Sequence, residues 1–186
     1  RVTQALTDIA VNGVRCALRY LFNQEVKRGR LVPPNPAEPE QDSGFIVLAM
    51  GKMGAGELNY SSDIDLIVFF DSAAPTLKDS VEPQPFFVRI AQGLSRILQQ
   101  RNADGYVFRV DLRLRPDPRA TQVAMSMEAA AIYYESMGQN WERAAMIKAQ
   151  VTFKSQSAEY TPPVIPERTH TRISMVPLSD KGSAGG

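Results

Sequence analysis

Apolar residues recur at Leu6, Ile9, Ala10, Val14, Ala17, Leu18, Leu21 and Phe22. This spacing is close to 3.6 and predicts an amphipathic helix over residues 3–29. Pro33, Pro34, Pro36 and Pro39 then predict a loop across 31–44. Residues 45–50 form an unbroken apolar run, the pattern of a buried strand, and Gly51, Gly54 and Gly56 break the pattern directly after it. A second strand is predicted over 63–70, and a helical period returns over 86–100. Residues 106–115 alternate cleanly. Val110, Leu112 and Leu114 fall on one face, with Arg109, Asp111, Arg113 and Arg115 on the other. Ser126 reads as the N-cap of a helix reaching about Met137, and a further helix is expected over 141–150. Beyond 150 the prolines and the glycine-rich end predict no stable element, only a disordered or non-native tail. The expected fold is α/β in the broad sense (α+β), a small mixed sheet packed with helices, with residues 1–150 as one domain.

Composition narrows the chemistry. The 186 residues carry 21 Lys and Arg against 20 Asp and Glu, a net charge of +1. That balance argues against a generally basic nucleic-acid surface, and no nucleic-acid partner is expected. A single cysteine, Cys16, and a single histidine, His170, speak against a disulfide framework, a zinc site or a His-based triad. No apolar run approaches the roughly 20 residues of a membrane span. With no signal segment seen before the first helix, a cytoplasmic setting is expected.

The acids gather where they are least expected, inside an apolar run. Asp63 and Asp65, two positions apart, share one face of the predicted strand. Like charges so placed repel, and desolvating them is costly, so a hard divalent cation would relieve both problems. Solvated acids at an ordinary strand end are the plainer alternative. Asp111 adds a third carboxylate, and if its strand neighbours the first, the three can hold two metals around a phosphorus centre. Arg113 and Arg115 have the planar fork that grips phosphate; the plainer alternative makes the arginines structural counter-ions of Asp63 and Asp65. Gly51 and Gly54 let backbone approach a phosphate, and Lys52 adds a point charge. The glycine segment matches neither the P-loop nor the dinucleotide fingerprint. Tyr133 and Trp141 invite adenine stacking but read better as core. Lys148 and Arg143 lie close to Glu142 in sequence and read either as phosphate contacts or as partners of that acid.

The run Gly51-Lys52-Met53-Gly54-Ala55-Gly56-Glu57-Leu58-Asn59, followed by Ser61-Ser62-Asp63-Ile64-Asp65, resembles the catalytic signature of the bacterial glutamine synthetase adenylyltransferase/adenylyl-removing enzymes. So do Arg109-Val110-Asp111-Leu112-Arg113-Leu114-Arg115-Pro116 and Tyr133-Tyr134 followed by Gly138-Gln139-Asn140-Trp141-Glu142-Arg143. These enzymes fall in the polymerase beta-like nucleotidyltransferase superfamily. The resemblance implies Asp63, Asp65 and Asp111 as catalytic metal ligands for two Mg²⁺ ions, with Mn²⁺ as a substitute. It implies Gly51, Lys52, Gly54, Ser62, Arg113 and Arg115 as nucleotide or phosphate contacts. The substrates implied are orthophosphate and ADP, or ATP. Glutamine synthetase is the implied protein substrate, and PII signalling proteins act through the full-length enzyme. Local wording at 57–59 and 109–116 is similar to the N-terminal, adenylyl-removing half, which implies phosphate-dependent removal of AMP from a tyrosine. ATP-dependent addition, or a catalytically incomplete regulatory or docking fragment, are the alternatives. Ala55, Arg119 and Gln122 depart from the usual family residues.

Overall fold

The computed structural model describes residues 2–146 and 148–155. The chain begins with helix α1 (Val2–Lys27), strand β1 (Phe45–Ala49), the single helical turn α2 (Gly51–Gly54) and strand β2 (Ile64–Phe70). Helix α3 (Pro83–Gln99), short strands β3 (Val110–Asp111) and β4 (Met125–Ser126), helices α4 (Met127–Ser136) and α5 (Asn140–Met146), and strand β5 (Gln150–Lys154) complete it. The sheet runs β3-β2-β1-β5, with β4 also on β2. β1 is antiparallel to β2 and to β5, whereas β3 and β4 lie parallel to β2.

Both faces of this sheet are covered, which is why β1 and β2 read as apolar runs instead of alternating ones. Phe45, Val47, Ile64, Leu66, Val68 and Phe70 point into a core shared with α1 and α3. Phe87 of α3 stacks on Phe70 at 4.6 Å and on Phe45 at 5.8 Å between ring centres. Ile46, Met50, Ile67 and Phe69 face the other way, towards Met125, Ala130 and Met146. By strand parity Asp65 belongs to this second face, at its open end.

The edge strand is shorter than its alternation predicts. The Asp111 carboxylate accepts the Arg113 N–H at 2.8 Å, an Asx-type turn that takes the chain out of the ladder. The chain returns to the same edge of β2 only at Met125. The glycine segment likewise differs from the expected loop. It closes as one helical turn, with Gly54 N–H donating to the Met50 carbonyl at 3.0 Å.

β5 occupies residues 150–154, where no stable element was expected past 150. Val151 and Phe153 alternate with polar neighbours, a pattern too short to stand out before the prolines. Tertiary pairing holds it. Ser155 N–H donates to the Phe45 carbonyl, and the Ser155 hydroxyl accepts Gly44 N–H at 2.8 Å. The tail expected over the rest of 151–186 lies, from 156 on, outside the described residues. The last expected helix ends at Met146, short of 150.

The Ser126 cap is present as the sequence predicts, its hydroxyl accepting Ala129 N–H at 3.2 Å. Ser126→Ala should cost about 1 kcal/mol, the usual loss for an N-cap, read as a lower urea midpoint with unchanged slope. Among the described residues, no helix is long and apolar enough to cross a membrane.

Candidate active site

Parallel pairing of β2 with β3 sets Asp65 directly beside Asp111 in register. Neighbours in register point to the same face, so the two carboxylates lie side by side across one strand spacing. Asp63 precedes β2 by one residue and shares the parity of Asp65. The Asp111 strand therefore does neighbour the strand that follows Asp63 and carries Asp65. Gly51 makes room for it. A Cβ on Gly51 would lie 2.7 Å from Asp65 Oδ2, so the carboxylate occupies space a side chain would fill. Gly51 also has φ of +53°, which favours glycine for a second reason.

Burial pushes the Asp65 carboxyl above its ordinary range, and the charges of Asp111 and Asp63 push it further. Arg113 and Lys52 oppose that shift, which puts both cations within the field of Asp65. Asp111 moves down instead, chiefly through its side-chain hydrogen bond with Arg113, against a smaller effect of burial. Two adjacent carboxylates are thus driven apart by their surroundings.

The arginines divide by task. Arg113 Nε lies 3.0 and 2.9 Å from the two Asp111 oxygens, and its Nη2 donates to Oδ2 at 2.6 Å. Arg109, which the sequence placed on the acidic face without a role, donates through Nε to Asp63 and through Nη2 to the Ser61 carbonyl at 2.7 Å. Its signal was the same period-two spacing that picked out Asp111. Arg115 donates to the carbonyls of Leu112, Pro118 and Thr121, so it organises the 112–124 excursion. It braces the loop through these carbonyls and acts on Asp111 through its charge.

Gly54 also serves packing. A Cβ there would meet the Lys148 carbonyl at 2.0 Å and the Ala49 carbonyl at 2.6 Å. Ser62 N–H closes a turn onto the Asn59 carbonyl at 3.1 Å, which brings Asp63 to the start of β2. Glu142 is buried and accepts from the Tyr133 hydroxyl and from Gln139 N–H, so Tyr133 is a hydrogen-bonding brace between α4 and α5. Lys148 pairs with Glu57 at 3.7 Å instead of with Glu142. The Trp141 and Arg143 side chains lie outside the described residues.

Hard oxygen donors in this arrangement suit Mg²⁺ or Mn²⁺. The surplus negative charge felt by Asp65, and the space left by Gly51, fit a cation at that carboxylate. As the side chains stand, no three acidic, His or Cys groups among the described residues are grouped to hold a metal ion. Arg109 draws on Asp63 and Arg113 on Asp111, so each carboxylate would have to exchange a guanidinium for the cation.

The sequence pattern of the glutamate-ammonia ligase adenylyltransferase family matches residues 1–162. The chain belongs to this family. The match extends past residues 1–150, the expected domain, and takes in β5. A bifunctional glutamine synthetase adenylyltransferase/adenylyl-removing enzyme of Rhodopseudomonas palustris (strain BisB5) is 71% identical over 150 residues, 81% of this chain and 15% of the relative. Its counterpart in Bradyrhizobium diazoefficiens shows the same identity and coverage. One from Xanthobacter autotrophicus is 57% identical over 149 residues, 80% of this chain and 15% of the relative. The chain thus spans about 15% of the length of these curated relatives. The mixed sheet packed by helices agrees with the nucleotidyltransferase-like fold expected for the family.

Proposed function

We propose that this chain carries an adenylyl-transfer site that moves AMP between a nucleotide and a tyrosine of glutamine synthetase. The observation that supports it is the in-register pair Asp65 and Asp111, with Asp63 on the same face, in a chain of this family. In the addition direction the tyrosine oxygen attacks the α-phosphorus of ATP and pyrophosphate leaves. The description of the family names that direction. Removal is the second reading: an orthophosphate oxygen attacks the phosphorus of AMP-tyrosine, the bond to the tyrosine oxygen breaks, and ADP leaves. It is favoured by the local likeness of 57–59 and 109–116 to the adenylyl-removing half, and the relatives' names carry both activities.

Asp63, Asp65 and Asp111 are the residues that would hold magnesium or manganese, which supplies positive charge at the attacking and leaving oxygens. The chain's own side chains do the rest. Gly51 leaves space for the Asp65 carboxylate. Lys52 and Arg113 bring positive charge towards the phosphates, and β2–β3 pairing fixes the spacing of the acids. Gly54 and Arg115 act one step removed, by packing the glycine turn and bracing the loop after β3. Ser62 holds the turn before Asp63. PII proteins would act through parts of the longer enzyme, in the cytoplasm.

The test supplies the 186-residue chain with ATP and unmodified glutamine synthetase, and separately with orthophosphate and AMP-modified glutamine synthetase. Mg²⁺-dependent turnover in one arm supports the reading and sets its direction. Silence in both arms, with the fold intact, makes this chain the incomplete docking fragment instead.

A further inference from the structure

We propose that the Arg113 guanidinium stands in for the divalent cation at Asp111, so that cation binding releases it to grip a phosphate oxygen and the two ligands bind cooperatively. This rests on the metal reading above and adds the means by which the cation and phosphate sites communicate.

The geometry separates Arg113 from its neighbours. Among the described residues its guanidinium donates to Asp111, on both carboxylate oxygens. Arg115 is tied into its loop by three carbonyls, and Arg109 holds the Ser61 carbonyl as well as Asp63. Arg113 is thus the guanidinium best placed to leave. Its side chain is 83% exposed while that of Asp111 is 16% exposed. An ion pair whose cation is that open to water contributes little, so a dication competing for the same oxygens meets weak opposition. A guanidinium and a dication on one carboxylate repel each other strongly at such short range.

Release does not send Arg113 away. Its backbone N–H stays bonded to Asp111 Oδ1 at 2.8 Å, which keeps the side chain rooted beside the site. The charge of Arg113 is upheld by Asp111 first and then by Asp63 and Asp65, so it lies in the field of all three acids. Once a cation satisfies those acids, the fork is left charged and unpaired. Phosphate is the anion whose geometry it matches. A phosphate that engages the fork removes the cation's competitor, and by linkage each ligand strengthens the other.

The test measures Mn²⁺ binding to the chain by electron paramagnetic resonance, with and without orthophosphate. In the unaltered protein, saturating orthophosphate should tighten Mn²⁺ by about tenfold, within the usual range for coupled sites. Arg113→Gln should bind Mn²⁺ severalfold more tightly when phosphate is absent, and phosphate should then add only about twofold. Arg119→Gln removes an exposed positive charge from the loop after β3 that is not on Asp111, and should keep the tenfold coupling. Full coupling in Arg113→Gln, or equal effects of both variants, overturns the exchange and leaves the metal site standing. An unaltered protein that binds no Mn²⁺ overturns the metal site and the exchange together.

Discussion

Gly54→Ala should destabilise this chain more than an added methyl group at any other described glycine. The new carbon would sit 2.0 Å from the Lys148 carbonyl oxygen and 2.6 Å from that of Ala49. Both obstacles are backbone. One belongs to a strand buried on both faces, and the other leads into β5, which is paired to that strand. Neither yields by rotating a side chain, so the cost should reach about 3 kcal/mol, the upper part of the range for overpacked interiors. For a domain of this size that is a fall in Tm of roughly 10 °C. Gly13→Ala is the control. It sits within α1, its new carbon meets Leu98 at an ordinary 3.7 Å, and it should stabilise by about 0.5–1 kcal/mol. Thermal unfolding of both variants checks the pair, and a Gly54→Ala protein melting within a few degrees of the parent would show that the Lys148 carbonyl does not press on the glycine turn.

That prediction depends on a contact the sequence does not display. Gly54 stands among glycines that suggest a phosphate loop, and nothing local shows that residue 148 returns to lie against it. β5 escaped notice for a related reason. Its five residues gain their strand character from pairing with β1, a tertiary effect that overrides a weak local pattern. By contrast α1, α3, β1 and β2 were legible because each buries a face, or two, against a large core. The spacing of apolar residues reports such burial directly.

The candidate site was legible in its acids and less so in its bases. A period of two put Asp63 with Asp65, and the same period put Asp111 among arginines, which is the arrangement found across β2 and β3. What a guanidinium does, however, depends on what lies within reach of its fork. Arg115 has the sequence context of a phosphate ligand, yet three loop carbonyls claim it. Arg109, on the same face, acts as a counter-ion and holds Asp63. The alternation predicting a long edge strand was also misleading beyond Asp111, because an aspartate side chain can take a backbone N–H that the ladder would otherwise use.

Asp65→Asn is expected to split activity from stability in opposite directions. Its carboxylate has Asp111 beside it in register and Asp63 two residues before it, and it fills the space left by Gly51. The amide keeps the volume and removes one negative charge from the acids proposed to hold the cation. Adenylyl transfer should fall about a thousandfold or more, since several kcal/mol of charge stabilisation at the phosphorus would be lost. Without metal, in the presence of a chelator, the variant should melt higher than the parent. Burial and the neighbouring acids raise the folded-state pKa of Asp65, so its ionisation works against folding. That burden is absent below the unfolded pKa of about 4, grows as pH rises towards the raised folded value, and is full above it. The stability gap between Asp65→Asn and the parent should therefore be small in acid and widen towards neutral pH. Asp111 behaves oppositely. Its folded pKa is lowered by Arg113, so its contribution is present above the unfolded pKa and lost as pH falls through the folded one. Asp111→Asn should therefore lower stability at neutral pH while also abolishing transfer. Thermal unfolding across pH, run beside the Mg²⁺-dependent transfer assay, reads all of these. Normal turnover in Asp65→Asn would end the metal reading, and a lower Tm at neutral pH would show that its charge is structurally paired.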